Sequence, residues 1–132
     1  MDSADPTAQA ERRFEALIGA FLMVAFSDGE FSKSEEYLVR VRLLREQKPR
    51  AMTDVEADAI YAKLETEFRS RPDATAERVL ALVAEQRGNG VARRAITEAA
   101  RKALMADRIS RTQEDYALNR LAAALGLRDG EI

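Results

Sequence analysis

Phe14-Glu15-Ala16-Leu17-Ile18-Gly19-Ala20-Phe21-Leu22-Met23-Val24-Ala25-Phe26 contains the most apolar segment of the chain, Leu17 to Phe26. Phe14, Leu17, Ile18, Phe21, Leu22 and Ala25 recur at the i, i+3, i+4, i+7 spacing of one buried helix face. This spacing predicts a helix from Thr7 to about Ser27. Met23, Val24 and Phe26 extend the apolar surface around most of the circumference, as in a central helix wrapped by others. The alternative is that these three leave a face for self-association or for a partner helix. The segment is too short to cross a bilayer.

Outward from this helix, each further segment carries its own start and stop signals. Ser32-Lys33-Ser34-Glu35, Thr53-Asp54-Val55-Glu56 and Ser110-Arg111-Thr112-Gln113 all have the capping-box spacing. They open helices with Leu38, Val41 and Leu44, with Ile60, Leu64 and Phe68, and with Leu118, Leu121, Ala122 and Leu125 turned inward. Gly29 and Gly126 stand where a helix ends in a left-handed residue. Pro49 ends the second helix and Arg71-Pro72-Asp73 reads as a break. A short helix follows from about Ala74 to Gln86. Beyond the Gly88-Asn89-Gly90 turn, Val91, Ala95, Ala99 and Ala103 predict a fifth helix with a small-residue face. The expectation is an all-α single bundle of about six helices. Residues 1–6 read as a flexible tail and 7–132 as one domain.

Composition narrows the chemistry. The chain has 132 residues, 46% hydrophobic and 33% charged, which suits one soluble domain with a real core. It has no cysteine and no histidine, which removes thiol nucleophiles, thiolate zinc sites and imidazole acid–base catalysis together. Any metal site must use oxygen ligands, suited to calcium or magnesium. The acidic start, Met1-Asp2-Ser3-Ala4-Asp5-Pro6, is unlike the basic beginning of a signal peptide, so a cytoplasmic protein is expected.

The acidic connections repeat. Phe31-Ser32-Lys33-Ser34-Glu35-Glu36 aligns with Ile109-Ser110-Arg111-Thr112-Gln113-Glu114, each preceded by an apolar helix and an aspartate, Asp28 or Asp107. The chain thus contains two pseudo-repeated helix–acidic turn–helix units. The alternative is that capping boxes recur because every helix needs a start.

Ala25-Phe26-Ser27-Asp28-Gly29-Glu30-Phe31-Ser32, followed by Glu35-Glu36, resembles the signature of the TerB-like (tellurite-resistance) family. Ala106-Asp107-Arg108-Ile109-Ser110, with Glu114 and the Leu121 to Leu127 ending, resembles that family's second copy; Arg108 stands where the family has glycine. The resemblance spans Phe14 to Leu127. It implies an all-helical fold, acidic clusters that take a divalent cation, and a stress-related role. Related domains in membrane-linked co-chaperones imply a protein partner, a membrane-associated complex included.

Asp28, Glu30, Glu36, Asp107 and Glu114 are therefore the candidate metal ligands, for calcium or magnesium. Asp28 and Asp107 follow predicted helix C-termini, where the macrodipole disfavours a carboxylate. Either the free N–H groups of the next helix or a bound cation would compensate. An EF-hand loop starting at Asp28 is excluded, because Lys33 stands at its glycine position and Val39 at its bidentate glutamate position. No phosphate loop, cofactor fingerprint or activated nucleophile is present, so catalysis is not expected. The resulting expectation is a stress-related interaction or sensing module. The runner-up is a small helical nucleic-acid-binding protein using Arg93, Arg94, Arg101, Lys102, Arg108 and Arg111, although Glu98, Asp107 and Glu114 interleave with them and a solvated face is the simpler account.

Overall fold

The computed structural model describes residues 6–26, 33–106 and 111–127; for 6–7, 33–36, 38–39, 104–106 and 111–116 it describes the backbone alone. Helix α1 (Pro6–Ala25) is followed by α2 (Lys33–Gln47), α3 (Asp54–Ser70), α4 (Pro72–Glu85), α5 (Gly90–Ala106) and α6 (Arg111–Ala124). All six expected helices are present, and the described residues contain no strand. α1 starts one residue before the expected Thr7 and stops at Ala25, short of Ser27. Proline suits a first turn because its missing N–H would have no intrahelical partner there.

α1 is the axis of the bundle. Every residue from Ala16 to Ala25 is buried, Gly19 included. The helix packs against α3, α4, α5 and α6. Met23 and Val24 are within this core, so the face considered for self-association is covered by the chain's own helices. Phe26 is half-buried and stacks on Phe68, with ring planes 3° apart and centroids 6.3 Å apart. Phe21 meets the fully buried Tyr61 at 6.4 Å.

Pairwise contacts give the helix directions. Phe21 meets Tyr61 and Phe26 meets Phe68, so α1 and α3 run parallel. Arg12 pairs with Glu85 and Arg78 with Glu15, so α4 runs the other way. α5 begins beside the N-terminal half of α1, where Asn89 and Ala92 share a cleft with Arg13 and Phe14. It packs against α1 and stays buried as far as Ala103, so it runs parallel to α1. Arg40 pairs with Asp58 and Lys48 with Asp54, so α2 is antiparallel to α3. α1, α3 and α5 thus run one way and α2 and α4 the other, and the C-terminal ends of α1, α3 and α5 share one end of the bundle.

Some connections are tighter than the sequence suggests. Arg71 alone joins α3 to α4: its N–H donates to the Glu67 carbonyl at 2.7 Å, and Pro72 is already helical. The expected break is present but narrows to Arg71, because Pro72 already starts the next helix. The Thr53 capping box forms as expected, with Glu56 N–H donating to Thr53 Oγ1 at 3.1 Å and Thr53 N–H donating to Glu56 Oε1 at 2.8 Å. Ser32 and Ser110, which head the other two capping boxes, and Gly29 lie outside the described residues. At the far end, Gly126 has φ of 76°. There Leu127 N–H donates to Ala122 O and Gly126 N–H to Ala123 O, the paired bonds of a Schellman stop. The Arg87 guanidinium adds hydrogen bonds to the carbonyls of Ala123 and Ala124, supplying a side-chain cap from across the bundle.

The expected inward face of α5 holds at Ala99 and Ala103, with Ala95 partly buried against the core, but not at Val91. Val91 is 79% exposed, while Ala92, Ile96, Ala99, Ala100 and Ala103 are buried. Small residues there admit α1 at close range, as expected, but the line passes through Ala92 rather than Val91. α1 uses the same device toward α4. A Cβ at Gly19 would lie 2.7 Å and 2.9 Å from the two Val79 methyls. Val79 is fully buried and β-branched, so it has little freedom to move. Gly19→Ala is expected to lower stability by about 1 kcal/mol, because overpacking outweighs the better helix propensity of alanine. Introduced together with Val79→Ala it should instead raise stability relative to Val79→Ala alone. Denaturant melts of the four variants measure this coupling, and additivity would contradict the steric account.

Candidate functional site

The sequence-predicted ligands Asp28, Glu30 and Asp107 lie outside the described residues. Glu36 is within α2 and Glu114 within α6, but their side chains lie outside the described set. Among the described residues no group of three or more acidic side chains is arranged to hold a metal ion. The frame bordering both acidic segments is described. Ala25 and Ala106 end two parallel, packed helices at the same end of the bundle. Phe26, immediately before Ser27-Asp28, is held between the Phe68 ring and the Arg69 guanidinium, which stands 5.6 Å from its centroid.

The basic residues of α5 do not act as one free face. Lys102 Nζ donates to Glu46 Oε1 of α2 at 2.7 Å, and Arg93 is half-buried. Arg94 and Arg101 are exposed. Arg108 and the side chain of Arg111 lie outside the described residues. The Lys102 contact holds the Glu46 carboxyl below its usual range, first by hydrogen bonding and then by charge.

Two recesses are built from described side chains in ways that contrast. Between α2 and α3, a polar recess brings together Arg40, Arg45 and Lys48 with Asp54 and Asp58. Its charges are largely matched: Arg40 pairs with Asp58 at 3.3 Å and Lys48 with Asp54 at 3.6 Å. Arg40 also lies over the Tyr61 ring at 4.4 Å, a cation–π contact that anchors it to the core. Lys48 donates to the Met52 carbonyl at 2.6 Å, closing the α2–α3 connection.

The second recess is apolar. It lies between the N-terminal halves of α1 and α5, under the end of α2, with a volume of about 260 Å³. Phe14, Leu17, Ala92, Ala95 and Ile96 form its walls, and Pro49 and Val91 its margins. Helical spacing explains this placement, since Ala10, Phe14 and Leu17 fall on one stripe of α1 facing α5. Three polar residues line it: Arg13, Gln47 and Asn89. The Asn89 carboxamide oxygen accepts from the Ala92 N–H at 3.0 Å and caps α5, which leaves its NH2 as the donor group.

Two adjacent arginines have different fates here. Arg12 is clamped by Glu85 of α4, with Nε to Oε1 at 2.8 Å and Nη2 to Oε2 at 2.5 Å. Arg13, one residue on, lines the apolar cleft and has no ion pair or hydrogen bond among the described residues. The Arg12-Arg13 doublet is visible in the sequence, but only the position of Glu85 tells the two apart. Arg13 is the residue that sequence reasoning missed.

Comparison with known proteins found no match of any kind: no family model fits the chain, and no curated protein and no solved structure matches it.

The carboxylates in these contacts set the acid response. Glu85 is held below the usual carboxyl range, chiefly by its hydrogen bond to Arg12. Glu56 is lowered by the Thr53 hydrogen bonds and Glu46 by Lys102. In each case the folded value lies below the ordinary 4.5. The stabilisation is therefore present above that value and is lost as pH falls through the lowered ones. Glu85→Gln removes one such group, so the acid-induced decline in Tm should be shallower than in the wild type. Thermal melts by circular dichroism between about pH 2 and 6 test this, and parallel curves would count against it.

Proposed function

We propose that this chain is a non-catalytic, TerB-like interaction or sensing module with a cytoplasmic, stress-related role. Its acidic segments take a divalent cation, calcium or magnesium. Asp28 and Glu30 are the principal ligands in this reading, with Glu36 in support and Asp107 and Glu114 as the second set. The observation that carries it is the parallel packing of α1 and α5. Both helices end at one end of the bundle, so two acidic segments far apart in sequence leave neighbouring helix ends. Two helix C-termini brought together concentrate negative potential there, which a cation offsets. The signature around Asp28, which resembles the family, supports the same reading.

An interaction role fits a chain with no histidine and no cysteine. No described helix is long and apolar enough to cross a membrane, so a membrane-associated complex in this reading would be joined through a protein partner. The nucleic-acid alternative gains nothing from Lys102, which is engaged by Glu46.

Titrating the full chain with calcium, and separately with magnesium, is expected to raise Tm and to shift backbone amide resonances saturably at the ends of α1 and α5. In the double variant Asp28→Asn/Glu30→Gln the response should fall by about tenfold or more in affinity. A cation that moves neither Tm nor amide resonances removes the cation part of the proposal, and a response unchanged in the double variant removes the ligand assignment.

A further inference from the structure

The apolar cleft between α1 and α5 differs from the other recesses in charge. Arg13 is its single charged lining residue and no carboxylate lines it. Arg13 also lacks a described partner, whereas Arg12 is bidentate to Glu85, and in the α2–α3 recess Arg40 pairs with Asp58 and Lys48 with Asp54. A cation at the edge of an apolar wall is complementary to a molecule with one anionic end and one apolar end.

Size narrows the class. The volume of about 260 Å³ exceeds the roughly 150 Å³ cavity that holds benzene and falls below the roughly 300 Å³ lower bound for drug-sized ligands. A single ring or a short chain fits; a cofactor does not. The ion is best matched as a monocarboxylate, because one guanidinium presents two parallel N–H groups to two oxygens. A dianion would bring a second charge against walls of Phe14, Leu17 and Ile96.

We propose that this cleft binds a small amphipathic monocarboxylate, its apolar body against Phe14, Leu17 and Ile96 and its carboxylate on the Arg13 guanidinium. Gln47 and Asn89 stand on the lining as further amide donors for the same head group. Arg13 is exposed, so the carboxylate stays at the water boundary while the body enters the cleft. The site is independent of the acidic segments: it lies at the N-terminal halves of α1 and α5, and the segments follow their C-terminal ends.

The test uses the full chain and three probes of equal length: octanoate, octanol and octylamine. Octanoate is expected to give saturable amide shifts at Phe14, Ala92, Ala95 and Ile96, with octanol and octylamine about tenfold weaker or worse. Arg13→Gln should weaken octanoate by about tenfold and leave octanol unchanged. Ala95→Leu should abolish binding by filling the cleft. Ala10→Leu does the same from the opposite wall, at a half-buried position, if Ala95→Leu perturbs folding. The proposal is overturned by any of three results: no saturable shift up to about 5 mM octanoate, octylamine binding as tightly as octanoate, or Arg13→Gln binding octanoate like the wild type. Shifts centred away from the cleft would overturn it equally.

Discussion

A helix with no solvated side has to be enclosed, and the burial of α1 is the constraint on which the other five helices depend. From Ala16 to Ala25 every side of the helix is covered. Its apolar circumference cannot be satisfied by a single partner, so α3, α4, α5 and α6 are distributed around it. Close approach requires small residues at the crossing points. Gly19 accepts Val79 on the α4 side, and Ala92, Ala99, Ala100 and Ala103 serve on the α5 side. Charged contacts such as Arg12–Glu85 and Arg78–Glu15 are confined to the rims, where they fix register more than they add stability.

The enclosure is incomplete near the N-terminal halves of α1 and α5. There the small side chains that permit close packing also leave space, since Ala10, Ala92 and Ala95 do not fill what Phe14 and Ile96 begin. One cause thus accounts for both the tight crossing and the cleft beside it.

What the sequence makes legible follows from how local each cause is. The α1 stripe, the Thr53–Glu56 box and the Gly126 stop depend on residues within a few positions of one another, and each forms as read. α5 is harder, because an alanine-rich helix offers several equally small faces. Among the described side chains Ile96 is the large apolar one turned inward, and with it inward Val91 stands in solvent. Pro72 illustrates the two meanings of proline: it ends one helix and begins the next, with Arg71 as the whole connection. The cleft could not be read in advance, since it combines α1, α5 and the end of α2, and since Arg13 differs from Arg12 only through Glu85, a residue 73 positions away from Arg12. Of the metal ligands expected from the acidic motif, Asp28, Glu30 and Asp107 lie outside the described residues, and for Glu36 and Glu114 the structure describes only the backbone of α2 and α6.

Arg87 has a broader effect than closing one helix. It projects from the α4–α5 turn and takes the last carbonyls of α6, at Ala123 and Ala124. A terminal turn ordinarily frays, opening and closing independently of the body of a protein. Here its opening requires breaking a tie to a segment in the middle of the chain. The final turn is thereby joined to the same cooperative unit as α4, so the amide hydrogens of Leu125 to Leu127 should exchange with solvent on the timescale of that unit rather than of a loose end.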